Sequence, residues 1–342
     1  MRRILIIRLS AIGDVVMATP LIRRLADHYP DAGVSWLVQE EAAELLTGHP
    51  CLEEVIVWPR GRWRRLRREG RWFQFFREFR DLRGRLRRRR FDVVLDIQGL
   101  LKSGLWAWMA GARHRVGLGS REGSGLLMTR RIPRPRGDPR IGSEYRLMLE
   151  RLGVPPEPFA MELHLTGEER RRGRLLAGEG SGYVALLPFT TRPQKHWVEA
   201  RWPVLAAQLR ERLGLRSVIL GGPADRAAAV RIASAASTRM LPLAGETSLR
   251  EAAAVIEGAR LVVGVDTGLT HMGIALGRPT LALFGSTRPY LETGRSDARV
   301  LYHPRDCSPC RRKPVCDGRF DCMAEITVEE VVEAAGRLLE SR

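Results

Sequence analysis

What this 342-residue sequence lacks narrows its chemistry first. No apolar run approaches the roughly 18–20 residues that a membrane-spanning helix requires. The longest candidate, GLWAWMAGA from Gly104, has nine. The opening residues, MRRILII, resemble a secretion signal only briefly. Arg8 and Asp14 interrupt the apolar stretch, and PLIRRLADHYP follows without a small-residue cleavage site, so a soluble cytoplasmic protein is expected. No G-x-G-x-x-G follows the first apolar run, and GLGSREG has the wrong spacing, which excludes the usual dinucleotide fingerprint. QGLLKSG lacks the glycines of a Walker loop. There is no G-x-S-x-G elbow and no Asp-x-Asp pair, the usual carboxylate clamp for a metal bridging a sugar nucleotide's phosphates.

Acidic residues are also in short supply. Thirty-nine of them against 57 lysines and arginines leave a net charge of +18, which calls for an anionic partner: nucleic acid, anionic lipid or a phosphorylated sugar. Aromatics make up only 6% of the chain, yet Trp63, Trp72, Phe73, Phe75, Phe76 and Phe79 all fall in the arginine-rich stretch 60–90. An amphipathic helix with packed aromatics and solvated arginines accounts for the pattern, and so does a helix lying on anionic lipid. Nucleic-acid binding is the reading from a different class. It predicts steeply salt-dependent affinity, but no recognition fold or RNP-like motif accompanies the charge.

Cysteine is scarce, and four of the five are gathered as Cys307, Cys310, Cys316 and Cys322 in CSPCRRKPVCDGRFDC. A C-x2-C followed by two more cysteines resembles a zinc or iron–sulfur ligand set, while the later spacings of five residues match no standard ribbon. A reducing compartment disfavours structural disulfides. A metal site and a thiol-rich packing loop both stay open; Cys51 reads as a core residue.

The chain is long enough for two domains. In the first half RILII, VSWLV, EVIVW, FDVVLDIQG and HRVGL are short, apolar and separated by helical patterns. YVALLPF, SVILGG, RMLPLAG, RLVVGVDTG and PTLALFGST repeat the arrangement in the second. This alternation predicts βαβ units and parallel sheets. The proline-bearing GVPPEPFAMELHLTGEE reads as the connection, giving domains 1–160 and 161–342, with room for the last helix to return to the first. The expected fold class is α/β, two doubly wound parallel-sheet domains facing a cleft.

Asp14, in RLSAIGDVVMATP after the first strand, has two readings: a helix-start residue stabilised by free N–H groups, or a carboxylate at the C-terminal edge of a parallel sheet, where open α/β folds bind ligands. In TTRPQKHW, Thr190, Thr191 and Lys195 at a strand end could together hold a diphosphate; a threonine cap beside a surface lysine is the plainer alternative. GVDTGLTH places Asp266, Thr267 and Gly268 at another strand end, with His271 in the first turn of the helix that follows. Gly268 lets a phosphate approach the backbone at the positive end of that helix.

With SAIGDVVMATP, DIQGLLKSG, TTRPQKHW, GGPAD, GVDTGLTH and GRPTLALFGST in this order, the sequence resembles the ADP-heptose lipopolysaccharide heptosyltransferases of glycosyltransferase family 9. The resemblance implies a GT-B fold of two Rossmann-like domains, acceptor-binding in 1–160 and ADP-heptose-binding in 161–342. It implies inversion at the anomeric carbon with no required cofactor and no metal. By position, Asp14 matches the catalytic base. Lys195, with Thr190 and Thr191, matches the donor-phosphate site, and Lys195 would offset charge on the departing ADP. Asp266, Thr267, Gly268 and His271 match further donor-binding positions, and Asp225 an acid contacting the nucleoside. Ser10, Gly13, Gln98, Arg62, Arg64, Arg65 and Arg121 match acceptor-binding positions of the first-heptose enzyme, whose partner is Kdo-bearing lipid A at the inner face of the cytoplasmic membrane. The four-cysteine segment resembles other branches, including second-heptose transferases, and a catalytically inactive binding module is disfavoured because Asp14 and Lys195 are both present.

Overall fold

A computed structural model of the chain describes residues 2–135, 137–178, 180, 182–287, 289–310 and 313–340. The chain divides into two units, Met1–Asp138 with Gly142–His164, and Pro139–Ile141 with Leu165–Arg342. Each is built on one six-stranded, wholly parallel sheet.

The first sheet comprises β1 (Arg3–Ile7), β2 (Gly33–Gln39), β3 (Glu54–Trp58), β4 (Val93–Asp96), β5 (His114–Leu118) and β6 (Arg130–Ile132), in the order β3-β2-β1-β4-β5-β6. Its central strands read as unbroken apolar runs because both faces are covered. Alternation then sorts the side chains. Ile4, Ile6, Val34, Trp36 and Leu95 join one core with Tyr145 and Met148. Leu5, Ile7, Leu37 and Val94 point the other way, into a core with Trp63, Leu86 and Trp106.

The second sheet comprises β7 (Tyr183–Leu187), β8 (Arg216–Ile219), β9 (Met240–Pro242), β10 (Leu261–Val265), β11 (Thr280–Phe284) and β12 (Ala298–Tyr302), in the order β12-β11-β10-β7-β8-β9. Val184, Leu186, Val263 and Leu281 pack there with Trp202 and Leu205. The last helix, Val328–Glu340, buries Val331, Val332, Ala335 and Leu338 in this same core, where the sequence left room for a return to the first. Among the described residues no helix is long and apolar enough to cross a membrane.

The last residues of the first unit are fastened to it by ions rather than by packing alone. Arg23 grips both Glu162 oxygens at 2.9 Å, the Glu162 N–H donates to Thr19 Oγ1 at 3.1 Å, and His49 Nε2 and His164 Nε2 stand 3.2 and 3.1 Å from the carboxylate. Burial would raise the Glu162 pKa, but His49 and Arg23 outweigh it and hold the group at about 2. The stability this contributes is therefore complete above the ordinary 4.5 and drains away as pH falls toward 2. Glu162→Gln is expected to cost roughly 1–3 kcal/mol at neutral pH and to flatten stability between pH 5 and 3, as read from urea midpoints at each pH.

Candidate active site

Both sheets reverse their strand order beside the first strand, between β1 and β4 and between β7 and β10. Loops leaving the carboxyl ends of such neighbours diverge and leave a crevice, the usual ligand position in open α/β sheets. The catalytic and phosphate-binding candidates fall at these two points.

In the first unit, the chain leaves β1 through Arg8, Leu9 and Ser10 and enters a helix, Ile12–Ala18. The loop is fixed from β4: Gln98 Oε1 accepts the Leu9 and Ser10 N–H groups at 2.8 and 3.2 Å. Asp14 is the third residue of the helix, about a third exposed, and its Oδ2 accepts the Ala11 N–H at 3.3 Å while forming an ion pair with Arg8. Asp14 is thus a helix-start acceptor, and its carboxylate lies beside the carboxyl end of β1. The helix begins at Ile12, so Gly13 is a buried helical residue.

Arg8 is buried and donates to Ile97 O at 2.8 Å, while its own carbonyl accepts Trp36 Nε1 at 3.1 Å. Burial works against its charge, and the Asp14 carboxylate more than compensates, so it stays protonated. Asp96, fully buried beside it, accepts the Gln98 and Gly99 N–H groups at 3.1 Å each; burial pushes its pKa up. Gly99 has φ +70°, and a Cβ there would meet Leu118 O at 2.4 Å, so this turn requires glycine. Sequence reasoning overlooked Arg8 and Asp96. The available signal was a charge placed just after, or at the end of, a wholly buried strand.

In the second unit, Asp266 follows β10 and collects its neighbours. Its Oδ2 lies 2.6 Å from Lys195 Nζ and accepts Thr287 Oγ1 at 2.6 Å; its Oδ1 lies 3.6 Å from His271 Nε2. His271 Nδ1 in turn meets Tyr290 OH at 2.8 Å. Burial would raise the Asp266 pKa, but His271 and Lys195 hold it well below the ordinary carboxylate range, whereas burial pushes Tyr290 well up. Lys195 ends a short 3-10 turn, Pro193–Lys195, in the loop after β7. Its ammonium carries three donors, of which Asp266 Oδ2 takes one and Asp266 O, at 3.4 Å, a weak second. The remaining one can meet a phosphate oxygen. Thr267 precedes the helix Gly268–Ala275 without capping it through its side chain, so the helix start is open to an anion. Gly264 lets this helix settle on the sheet: a Cβ would sit 2.3 Å from Thr270 Oγ1 and 2.8 Å from Leu187 Cβ.

The structure brings together Lys195, Asp266 and His271, and adds Thr287 and Tyr290, which the sequence did not suggest as members. Thr190 is nearby in the chain, its carbonyl meeting His196 Nε2 at 2.9 Å, and Thr191 is exposed. Asp225 closes the turn after β8, accepting the Gly222 N–H at 2.8 Å. Among the arginines, Arg62 is committed to Glu78, with contacts of 2.7 to 3.0 Å, and Trp63 Nε1 shares that carboxylate at 3.1 Å. Arg65 reaches Glu69 only at 3.9 Å, and Arg64 has no acidic partner among the described residues. Arg121 is exposed in the loop after β5, its N–H donating to Gly99 O at 2.8 Å.

All four clustered cysteines are free thiols, Cys307 exposed and Cys322 buried. Cys310 Sγ approaches Ser286 O at 3.8 Å, and burial pushes the Cys310 and Cys322 thiols up. Among the described residues only His49, Glu162 and His164 bring three candidate metal-ligand atoms within 4.8 Å of one another. That group is better read as an ion-pair network. His49 Nδ1 accepts the Cys51 N–H at 3.2 Å, which leaves the proton on the Nε2 that faces Glu162, and Arg23 already covers both carboxylate oxygens.

Residues 79–318 match glycosyltransferase family 9 (heptosyltransferase). The chain is 33% identical over 322 residues to lipopolysaccharide heptosyltransferase 1 of Pseudomonas aeruginosa, covering 91% of this chain and 86% of that one. The fold is similar to that of the ADP-heptose lipopolysaccharide heptosyltransferase II of E. coli, with TM-score 0.79 and 25% identity over 100% of this chain and 99% of the other. It is also similar to E. coli heptosyltransferase WaaC with ADP-2-deoxy-2-fluoro heptose, with TM-score 0.73 and 26% identity over 98% and 99%.

Proposed function

Because the chain belongs to glycosyltransferase family 9, a family of heptosyltransferases with the two-domain GT-B α/β architecture, we propose that it transfers heptose from ADP-heptose to the Kdo-bearing lipid A precursor of the lipopolysaccharide inner core. The 33% identity to a heptosyltransferase 1 over 91% of the chain is the observation that carries this reading. The first unit supplies the base and the acceptor site, the second the donor site. Asp14 takes the proton of an acceptor hydroxyl as that oxygen bonds to the anomeric carbon. The bond from that carbon to the phosphate oxygen breaks with inversion, and ADP leaves with its new charge facing Lys195 and the start of the Gly268–Ala275 helix. No cofactor is needed for this exchange, and the enzyme works at the cytoplasmic face of the membrane that holds its acceptor.

Purified protein given ADP-heptose and Kdo-lipid A should yield a product one heptose heavier by mass spectrometry. Transfer only to an acceptor already bearing heptose would replace this reading with a second-heptose activity, which the fold similarity to heptosyltransferase II favours. No transfer to either would overturn both.

The arginine pairing refines the acceptor site. Arg62 is already neutralised by Glu78, so Arg64 and Arg65 are the ones available to acceptor carboxylates and phosphates. An Arg64→Gln, Arg65→Gln variant is expected to raise acceptor KM by about 3- to 10-fold, leaving the Kd for ADP unchanged. Added salt should shrink the difference, since exposed charges are screened within about 8 Å at physiological ionic strength.

A further inference from the structure

The aromatic-arginine stretch divides in the folded chain. It forms two helices, Arg60–Arg68 and Trp72–Arg88, which together with the helix Leu101–Met109 cover one face of the first sheet. Trp63, Phe75, Phe79, Leu82 and Leu86 turn inward onto that core, as an amphipathic helix pair should. Trp72, Phe73 and Phe76 do not. They stand 51, 83 and 57% exposed on the first turn and a half of their helix. On the neighbouring helix Leu101, Leu105 and Trp108, at i, i+4 and i+7, form a second outward stripe, and Leu126 on the adjoining short turn is 85% exposed. These seven are all the exposed large apolar side chains of the first unit among its described residues, and they include every exposed tryptophan and phenylalanine among the described residues of the chain. They belong to one layer, on one face of one sheet.

The same stretch holds the charge. Residues 60–90 carry fifteen arginines and three acids, twelve of the eighteen net positive charges of the protein. Arg64, Arg68, Arg77 and Arg80 are exposed with no acidic partner among the described residues. A second copy of this chain is a poor occupant, because it would set the same dense positive charge against itself. Apolar tips standing out from convex helices, ringed by arginine, match an interface with hydrocarbon depth and anionic headgroups.

We propose that this outer layer docks on the surface of an anionic lipid bilayer, with Trp72, Phe73, Phe76 and Trp108 entering the headgroup–acyl boundary and the arginines meeting lipid phosphates. The inference deepens the proposed function, resting on it for the sense of a lipid-linked acceptor, and its test does not use transfer. Full-length protein is sedimented with phosphatidylcholine vesicles that do or do not contain phosphatidylglycerol. Wild type should bind the anionic vesicles and detach in high salt. A Phe73→Ser, Phe76→Ser, Trp108→Gln variant should bind them at least about tenfold more weakly, with unchanged thermal stability and ADP affinity. Equal partitioning of variant and wild type would overturn the proposal, as would a variant whose only change is loss of a dimer in gel filtration. Failure of heptose transfer with vesicle binding intact would strike the proposed function and leave the docking face standing.

Discussion

The Asp14→Asn variant is expected to turn over roughly 100-fold more slowly or worse, with ADP affinity close to wild type. The amide keeps the carboxylate's shape and can still accept the Ala11 N–H, so the entry to the Ile12–Ala18 helix need not change. What it cannot do is serve as the base proposed for Asp14. It also leaves the buried Arg8 without the carboxylate that sustains its charge, so part of any loss could be structural. Arg8→Lys separates the two effects. That variant loosens the pair and retains the base, and it should keep most of the turnover that Asp14→Asn loses. Unchanged kcat in Asp14→Asn, measured with acceptor saturating and the fold verified by its thermal transition, would remove Asp14 from the chemistry.

Lys195→Ala should remove about 2–4 kcal/mol of transition-state stabilisation, a drop in kcat/KM of roughly 30- to 1,000-fold. Two causes add. The ammonium proposed to face the departing diphosphate is gone, and Asp266, now held only by His271 and Thr287, would repel the same phosphates. The second cause is separable: adding Asp266→Asn to Lys195→Ala should restore part of the ADP affinity, a coupling that independent sites would not show. Because His271 and Lys195 hold Asp266 well below the ordinary range, its carboxylate remains charged through any neutral or mildly acidic assay and contributes no acid limb to the rate profile. Excess EDTA should leave most activity, and an absolute requirement for added Mg²⁺ would count against Lys195 as the neutralising group.

The strands flanked on both sides were legible because burial on two faces leaves an apolar run that needs no partner to be recognised. RILII and YVALL are examples. The two strands that the sequence reading missed are sheet edges. Arg130–Ile132 exposes both its arginines, and Ala298–Tyr302 alternates too weakly to stand out from a loop. The motifs fixed where each unit's crevice would fall. They could not show which side chains spend their charge on each other. That Arg8 folds back onto Asp14 six residues on, that Arg62 is taken by Glu78, and that Tyr290 backs His271 across 19 residues are consequences of packing rather than of any local pattern. The aromatic stretch shows the same limit: six rings look alike in the sequence, and only the fold decides that Trp63, Phe75 and Phe79 are core while Trp72, Phe73 and Phe76 are not.

The register of the first sheet also sets a timetable for biosynthesis. Ile4 pairs with Val34 on one side and with Val93 on the other, so one flank of the opening strand waits for 89 further residues. Once Val34 has been made, 59 residues still separate it from Val93, so at roughly 5–20 residues per second the nascent ILII segment stays half covered for about 3–12 s. The loop that carries Asp14 waits longer still, because the carboxamide that fixes it belongs to Gln98. The edge that carries Asp14 therefore sets only after β4 has been made, and a nascent chain that has not yet reached Gln98 should be the form of this unit most in need of a chaperone.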